Sequence, residues 1–363
     1  MNVKELLHVI DQHIPLSTSE SWDNVGLLIG SEQSKVEGVM TTLDCTLEVV
    51  DEALAHNMNT IVAHHPLIFK GVKNITDEGY GQIIKKIIKN DMNLIALHTN
   101  LDAYEKGVSY MIGQKIGLKN MTILNPNRES YFKMQIFVPD QEVEMMKSVF
   151  NEHHLAETDE YSNVFFQTQG KGQFKPSENA NPAIGQRNKT EIVHETKLEF
   201  MISSKEKALA TKLVNEYHPY EEPVYDFIEM KRESKSGLGI IGELDESLSI
   251  HSFVKLYKEQ LHIPAVRYIG KQNINVERIA IVGGAAVEYA DVAKNKNADL
   301  FITGDVKHHE ALDAIMDDIN ILDANHYSEY VMKEGLKDLL EEWTEHRITV
   351  QSSEVNTDPY QYM

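Results

Sequence analysis

The sequence predicts an α/β protein: two similar strand–helix lobes forming one core, with an inserted ferredoxin-like βαββαβ domain. Three observations carry this. Strand and helix patterns alternate from Val36 to Asp102, the same alternation returns near the C-terminus, and the stretch between them has another order. Alternation of this kind implies crossover units around a largely parallel sheet. At 363 residues the chain has room for two domains, or for one large core with an insert. The expected boundaries are 1–127 for the first lobe, 128–232 for the insert and 233–363 for the second lobe.

In chain order, "MNVKELLHVIDQHIP" places Leu6, Leu7 and Ile10 at helical spacing with charges between them. It lacks a signal peptide's apolar core. "WDNVGLLIG" sets Asp23 and Asn24 beside Trp22 in a loop that either lines a cleft or packs. "GVMTTLD" then reads as a strand, "TLEVVDEALAHN" as a helix, "NTIVAHH" as a strand, "GQIIKKIIKND" as a helix and "NLIALHTNLD" as a strand with its exit. Pro66 stops the third of these just after two adjacent histidines.

The insert opens on "YFKMQIFVP", a strand. "EVEMMKSVFNEHH" follows as a helix, "SNVFFQTQGKGQF" and "KLEFMISS" as strands, "KEKALATKLVNEYH" as a helix and "PVYDFIEM" as a strand. That order is the split-βαβ pattern. Its flanks, "NPNRES" and "RESKSGLGIIGEL", read as turn-rich junctions, and "GQFKPSENANPAIGQRNKT" as a long exposed loop.

The second lobe begins with the amphipathic helix "SLSIHSFVKLYKEQL" and the strand "AVRYIGK". "RIAIVGG", "ADLFITGD" and "INILDANHYSE" are strands, with helices "VEYADVAKNKN" and "HHEALDAIMDD" between them. "DMNLIALHTNLD" lies over "DINILDANHYSE" without a gap. Asp91 falls on Asp318, Asn93 on Asn320 and Asp102 on Glu329, at an offset of 318 − 91 = 227. The match suggests a duplication in which each lobe presents a carboxylate after its last strand. The final helix, "SEYVMKEGLKDLLEEW", closes the core, and "SSEVNTDPYQYM" reads as a loose tail.

Bulk composition excludes several classes. Hydrophobic residues make up 42% and charged residues 25%, ordinary values for a soluble protein. Acidic residues exceed basic ones by 56 − 35 = 21, so the net charge of −21 repels nucleic acid and anionic membrane at long range. No apolar run approaches the ~20 residues that span a bilayer. The single cysteine, Cys45, rules out an internal disulfide and a cysteine-built zinc site. The expected compartment is the cytoplasm. Neither a GxGxxG fingerprint nor a P-loop is visible, and Gly283 and Gly284 in "IVGGAA" suit a tight turn near a ligand.

The chemistry concentrates at the carboxyl ends of the predicted strands, where open α/β sheets bind their ligands. Three clusters fall there: His64 with His65, Asp102 with His98 upstream, and His326 with Glu329. Imidazole and carboxylate are ligands for zinc, manganese, iron and cobalt. Neighbouring side chains on a strand diverge, so His64 and His65 suit two different ions a few ångströms apart. A dinuclear site then wants a carboxylate reaching across and one more ligand for each ion. Asp102, His326 and Glu329 supply that set. Each cluster alone has a plainer reading: a histidine at a strand end commonly packs, and Asp102 in "HTNLD" suits a capping carboxylate. Their joint placement favours metal. "TGDVKHHEAL" adds Asp305, Lys307, His308 and His309, either as groups that assist the site or as a solvated helix start.

"WDNVGLLIG", "HHPLIF", "HTNLD", "TGDVKHH" and the "NHYSE" helix start, in this order, resemble the dinuclear-metal hexameric family of GTP cyclohydrolase 1 type 2 homologues. The resemblance runs over the whole chain. It implies a toroidal homohexamer with two divalent metal ions per chain, zinc first, with manganese, iron or cobalt as alternatives. It assigns His64, His65, Asp102, His326 and Glu329 as ligands and His98 as a group behind them, where Asp305 and Asn325 are expected as well. Asn325 stands where many shorter members have a histidine. The insert is similar to the PII-type domain of longer members.

The expected function is metal-dependent hydrolysis of a nucleotide or other phosphate-bearing small molecule by a metal-bridging hydroxide, assisted by His308, His309 or Lys307. No triphosphate cradle is evident in the sequence. The alternative is a non-catalytic regulatory or scaffold ring whose metals are structural and whose insert senses a ligand or gates access. Binding of nucleic acid is disfavoured by the charge, and no membrane partner is expected.

Overall fold

The computed structural model describes every residue except Asp159, and of Glu129 only the backbone. It is a mixed α/β structure with two sheets. Residues 1–127 and 235–363 form one compact unit, and Arg128–Ser234 a second.

The strands in chain order are β1 (Gly26–Ile29), β2 (Val39–Thr42), β3 (Thr60–Ala63), β4 (Asn93–Ala96), β5 (Lys119–Pro139), β6 (Phe166–Phe174) and β7 (Glu191–Ser203). After them come β8 (Tyr225–Ser249), β9 (Arg267–Ile269), β10 (Asn275–Ile281), β11 (Leu300–Thr303), β12 (Ile321–Asp323) and β13 (Val350–Ser352).

In the first unit one sheet has the order β1-β4-β3-β2-β13. β4, β3, β2 and β13 run parallel, and β1 is antiparallel at the edge. In the other sheet β10, β11 and β12 are parallel with β9 antiparallel beside β12, as β1 is beside β4, but the strand beyond β10 is the antiparallel β8. β2, β3, β4 and β11 are buried along their whole length, as strands covered on both faces must be.

Small details match between the sheets. β1 ends at Gly30 (φ +118°) and β9 at Gly270 (φ +129°), and in each a Cβ would meet the side-chain oxygen of Asn93 or Asn320, at 2.3 and 2.4 Å. The same oxygens accept the Ser31 and Lys271 amides, at 3.2 and 3.1 Å. Only glycine combines that backbone with so close an approach.

A core cluster of Leu6, Ile10, Val62, Ile95, Ile281 and Leu322 joins the N-terminal helix Val3–His13 to inward faces of both sheets. Asn2 starts that helix with a capping box to Glu5.

The second unit has the element order strand–helix–strand–strand–helix–strand, with helices Val143–Glu152 and Lys207–Tyr217 and strand order β6-β7-β5-β8. Its own core holds Met134, Ile136, Phe150, Leu198, Phe200 and Val214. His218 follows the second helix, buried, with Nε2 3.0 Å from the Phe137 carbonyl and Nδ1 accepting the Tyr220 amide at 3.1 Å. These partners require a neutral ring with its proton on Nε2. Burial lowers its pKa below 6.5, against the opposing pull of the Phe137 carbonyl. The unfolded chain then binds the proton more readily, so stability present above about pH 6.5 is lost as pH falls through that value. The melting temperature is expected to drop as pH falls below about 6.5, and to drop less in His218→Gln. Identical pH profiles for parent and variant would contradict this account.

Two expectations are corrected. The flanks "NPNRES" and "RESKSGLGIIGEL" are not turns; they lie inside the long strands β5 and β8. Their polar residues pair across strands instead: Asn127 donates to the Ser236 hydroxyl, and the Ser130 hydroxyl to Glu229. Gly237 sits where a Cβ would meet the Asn125 carbonyl oxygen at 2.5 Å, so glycine here allows close strand approach.

The tail is not loose either. β13 adds to the first sheet beside β2. Ser353 is buried and its amide donates to the Thr41 carbonyl at 2.9 Å. Glu52 accepts the Glu354 amide at 2.7 Å, and the Thr357 hydroxyl donates to Asp44 at 2.7 Å.

Candidate metal centre

β3 delivers the two histidines. Just past its end, His64 N–H donates to the Thr42 carbonyl (3.0 Å) and His65 N–H to the Leu43 carbonyl (2.9 Å). Two successive amides held on the same side mark a bend out of the strand, and it leaves the two rings with centroids 5.1 Å apart. β4 exits into the single helical turn Thr99–Asp102, which brings Asp102 inward. β12 exits through Asn325, whose positive φ (70°) and side-chain cap of the Tyr327 amide begin the 3₁₀ helix His326–Val331. One turn of that helix sets His326 Nε2 3.3 Å from Glu329 Oε2.

These groups converge. His65 Nε2 lies 3.2 Å from Glu329 Oε2 and 3.3 Å from His326 Nε2. His64 Nε2 lies 3.7 Å from Asp102 Oδ1 and 4.0 Å from Glu329 Oε2. Ligand atoms of His65, His326 and Glu329 sit within 4.8 Å of one another, as do those of His64, Asp102 and Glu329, and those of His64, His65 and His98. Glu329 belongs to two of the three groups.

Behind each ring a fixed acceptor holds Nδ1. His64 faces the Leu97 carbonyl at 2.8 Å, His65 faces Asp44 at 2.7 Å, His326 faces Asp305 at 2.7 Å and His98 faces Asp23 at 2.9 Å. Metal-ligating histidines have this arrangement, because the rear hydrogen bond sets the tautomer and leaves Nε2 forward.

Burial and close charged neighbours perturb each of the five groups. Burial pushes the His64 pKa down to about 3. Burial also opposes charge on His65, but its bonds to Asp44 and Glu329 hold it up at about 10. The Glu329 bond raises His326 to about 9. Glu329 itself resists burial through His326 and His65 and is held far below the usual carboxylate range. Asp102 is the exception: burial and the nearby Glu329 raise it well above that range. Its Oδ1 is buried with no hydrogen-bond partner among the described residues. A buried acceptor without a donor is costly, and a divalent ion is the kind of partner this imidazole–carboxylate set would satisfy.

Gly283, in the turn after β10, makes room for the carboxylate. A Cβ there would stand 2.7 Å from Glu329 Oε1. Gly283→Ala is expected to displace Glu329 and weaken metal binding roughly tenfold, like the loss of an orienting contact. Competition against a chromophoric chelator measures this, and parental affinity would refute it.

Of the other residues singled out in the sequence, Asp305 and His98 lie at the cluster. Asn325 caps the 3₁₀ helix and its amide contacts the Tyr362 hydroxyl. Lys307, His308 and His309 are exposed at the start of helix His308–Met316. Lys307 pairs with Glu310 at 3.0 Å and the two histidine rings lie against each other, contacts that do not involve the cluster. Asp44 and Asp323 went unnoticed in the sequence. Asp323, buried beside Arg267, accepts the amides of Val306 (3.2 Å) and Asn325 (3.3 Å), and so ties together the loops bearing Asp305 and His326. The available signal was position: Asp44 follows β2, the parallel neighbour of β3, and Asp323 ends β12, the strand that leads to His326.

Fold and cluster together define a mixed α/β protein with a buried histidine–carboxylate centre of metal-binding type. The chain belongs to the Duf34/NIF3 (NGG1p interacting factor 3) family, whose model matches residues 1–359. Proteins named GTP cyclohydrolase 1 type 2 homolog, from Staphylococcus epidermidis and Staphylococcus aureus, are 50% identical to it over the full length of both chains. The crystal structure of Staphylococcus aureus protein SA1388 is similar with a TM-score of 0.90 and 46% identity, covering 100% of this chain and 99% of that one. A Bacillus cereus protein related to NIF3 is similar with a TM-score of 0.76 and 34% identity, over the same shares. No helix among the described residues is long and apolar enough to cross a membrane.

Proposed function

We propose that the chain is a di-metal hydrolase acting on a nucleotide or another phosphate-bearing small molecule. The observation that carries this reading is the convergence of three Nε2 atoms and two carboxylates, each of the three rings fixed from behind at Nδ1. His65, His326 and Glu329 would hold one divalent ion, and His64, Asp102 and Glu329 the other, with zinc first and manganese, iron or cobalt as alternatives. Such a pair, when bound, acidifies water and stabilises anionic oxygens. The chain's own residues orient and exclude. Asp44 and Asp305 keep two rings in the tautomer that points Nε2 forward, and the buried Glu329 and His64 keep bulk water from the floor of the site. His98, part-exposed and held by Asp23 at 2.9 Å, stands beside the cluster where its ring can hydrogen-bond a ligand.

The architecture we infer is a duplicated pair of lobes carrying a ferredoxin-like, PII-like insert and assembled as a toroidal homohexamer in the cytoplasm. The paired Gly30–Asn93 and Gly270–Asn320 contacts support the duplication. The strand order of the second unit supports the insert's class. A sedimentation mass other than six chains would remove the hexamer.

The name carried by the staphylococcal relatives favours a purine nucleotide as substrate. The decisive experiment screens metal-loaded protein against nucleotides, phosphodiesters and cyclic amidines, with Asp102→Ala in parallel. Turnover that disappears in the variant supports the hydrolase. Ligand binding confined to the insert, without turnover, supports a regulatory ring instead; the insert's separate core favours that second reading.

A further inference from the structure

Beside the histidine cluster stands an aromatic wall that the proposed chemistry leaves unused. Trp22 is 58% exposed and Phe69 is 40% exposed, and their rings meet edge-on with centroids 5.8 Å apart. Both also meet His98 edge-on, at 6.2 and 6.4 Å. His98 in turn lies 5.2 Å from the His64 ring and 5.8 Å from the His65 ring. The wall is thus one ring away from the ligand atoms.

It is also held in place. Asp23, next to Trp22, has a fully buried side chain that binds His98 Nδ1, the Thr99 amide and the Thr99 hydroxyl. Asn24 donates to the Ile68 carbonyl, tying the Trp22 loop to the segment that carries Phe69. These hydrogen bonds anchor the backbone next to the two rings and leave the rings themselves where water can reach them. Exposed aromatics add little to the chain's own core, and an anchored backbone lowers the ordering cost of receiving a ligand.

We propose that Trp22 and Phe69 form a docking platform for a planar aromatic or heteroaromatic ring whose attached oxyanion reaches the histidine–carboxylate cluster. Ring stacking on an aromatic side chain tolerates many bases, since each has a π-face. The ring of the ligand would lie on the wall and its polar substituent would pass His98. The proposal rests on the reading of the cluster as a metal centre that binds phosphate-bearing ligands.

The test compares three kinds of probe on the metal-loaded full chain by titration calorimetry: adenosine and guanosine 5′-monophosphate, ribose 5-phosphate, and the two nucleosides. Stacking of one base contributes about 1–3 kcal/mol, so the monophosphates should bind at least about fivefold more tightly than ribose 5-phosphate. Trp22→Ala with Phe69→Ala should erase that ratio and leave both ribose 5-phosphate affinity and metal content unchanged, while Trp22→Phe retains most of it. Equal binding of ringed and ringless phosphates, or a ratio that survives the double alanine variant, overturns the platform. So does failure of every probe to bind protein with full metal content. Nucleosides that bind through Trp22 with no gain from the phosphate keep the platform and remove the phosphate from the reading of the site. If the double variant lowers the sedimentation mass, the wall is a subunit contact and the proposal is wrong.

Discussion

Metal-free protein carrying Asp102→Ala is expected to be no less stable than the parent, and yet to lose one of the two proposed metal positions. Most substitutions of buried residues behave oppositely, costing stability first. Here the side chain contributes little to the metal-free fold: it is buried, its Oδ1 has no partner among the described residues, and burial with Glu329 nearby raises its pKa. Removing an unsatisfied polar group relieves a cost of about 1–3 kcal/mol, which offsets the small cavity left behind. Glu329→Gln is expected to lose both positions, because Glu329 belongs to both ligand groups. It should also lower metal-free stability near neutral pH, since the raised pKa values of His65 and His326 depend on that carboxylate. Elemental analysis gives the metal content and thermal melting in chelator gives the stability. Two ions per chain in either variant would sink the ligand assignment. An unstable Asp102→Ala would make Asp102 a structural residue.

How much of this was legible in the sequence depends on range. His64, His65, Asp102, His326 and Glu329 were readable because each follows a short apolar run, and strand ends are where parallel sheets expose functional side chains. The helix Val3–His13 was readable from Leu6 and Ile10 at its buried spacing. Asp44 was not, because its role needs β2 beside β3, a pairing made across a whole crossover helix. The strands at Tyr131–Pro139 and from Tyr225 were readable, but the reach of β5 and β8 through the flanks was not, because Asn, Pro, Ser and Gly carry turn chemistry locally and only the facing strand overrides it. The tail was missed for a similar reason. "SSEVNTDPYQYM" is polar and lacks periodicity, yet Ser353, Glu354 and Thr357 each find a partner more than 300 residues earlier. Hydrogen bonds of that range leave no trace in local pattern.

That tail leads to the second large effect. Asp44 takes His65 Nδ1 on one oxygen and the Thr357 hydroxyl on the other, both at 2.7 Å. Burial alone would raise the Asp44 pKa, but the His65 bond and then Thr357 hold it below its usual value. A charged acceptor behind an imidazole raises its basicity and fixes its orientation, and losing such a partner typically costs 10–100-fold in metal affinity. Asp44→Asn is expected to weaken the position shared by His65, His326 and Glu329 by that factor, and to spare the position that uses His64 and Asp102. Thr357→Val should act in the same direction but less, since it removes one neutral donor while leaving the charge. Its effect should vanish in the Asp44→Asn background, because the hydroxyl acts through that carboxylate. Titration with cobalt(II), followed by its visible spectrum, separates the two positions. A Thr357→Val effect undiminished without Asp44 would mean that the tail reaches the metal centre by another route; parental binding in Asp44→Asn would remove the carboxylate from the centre altogether.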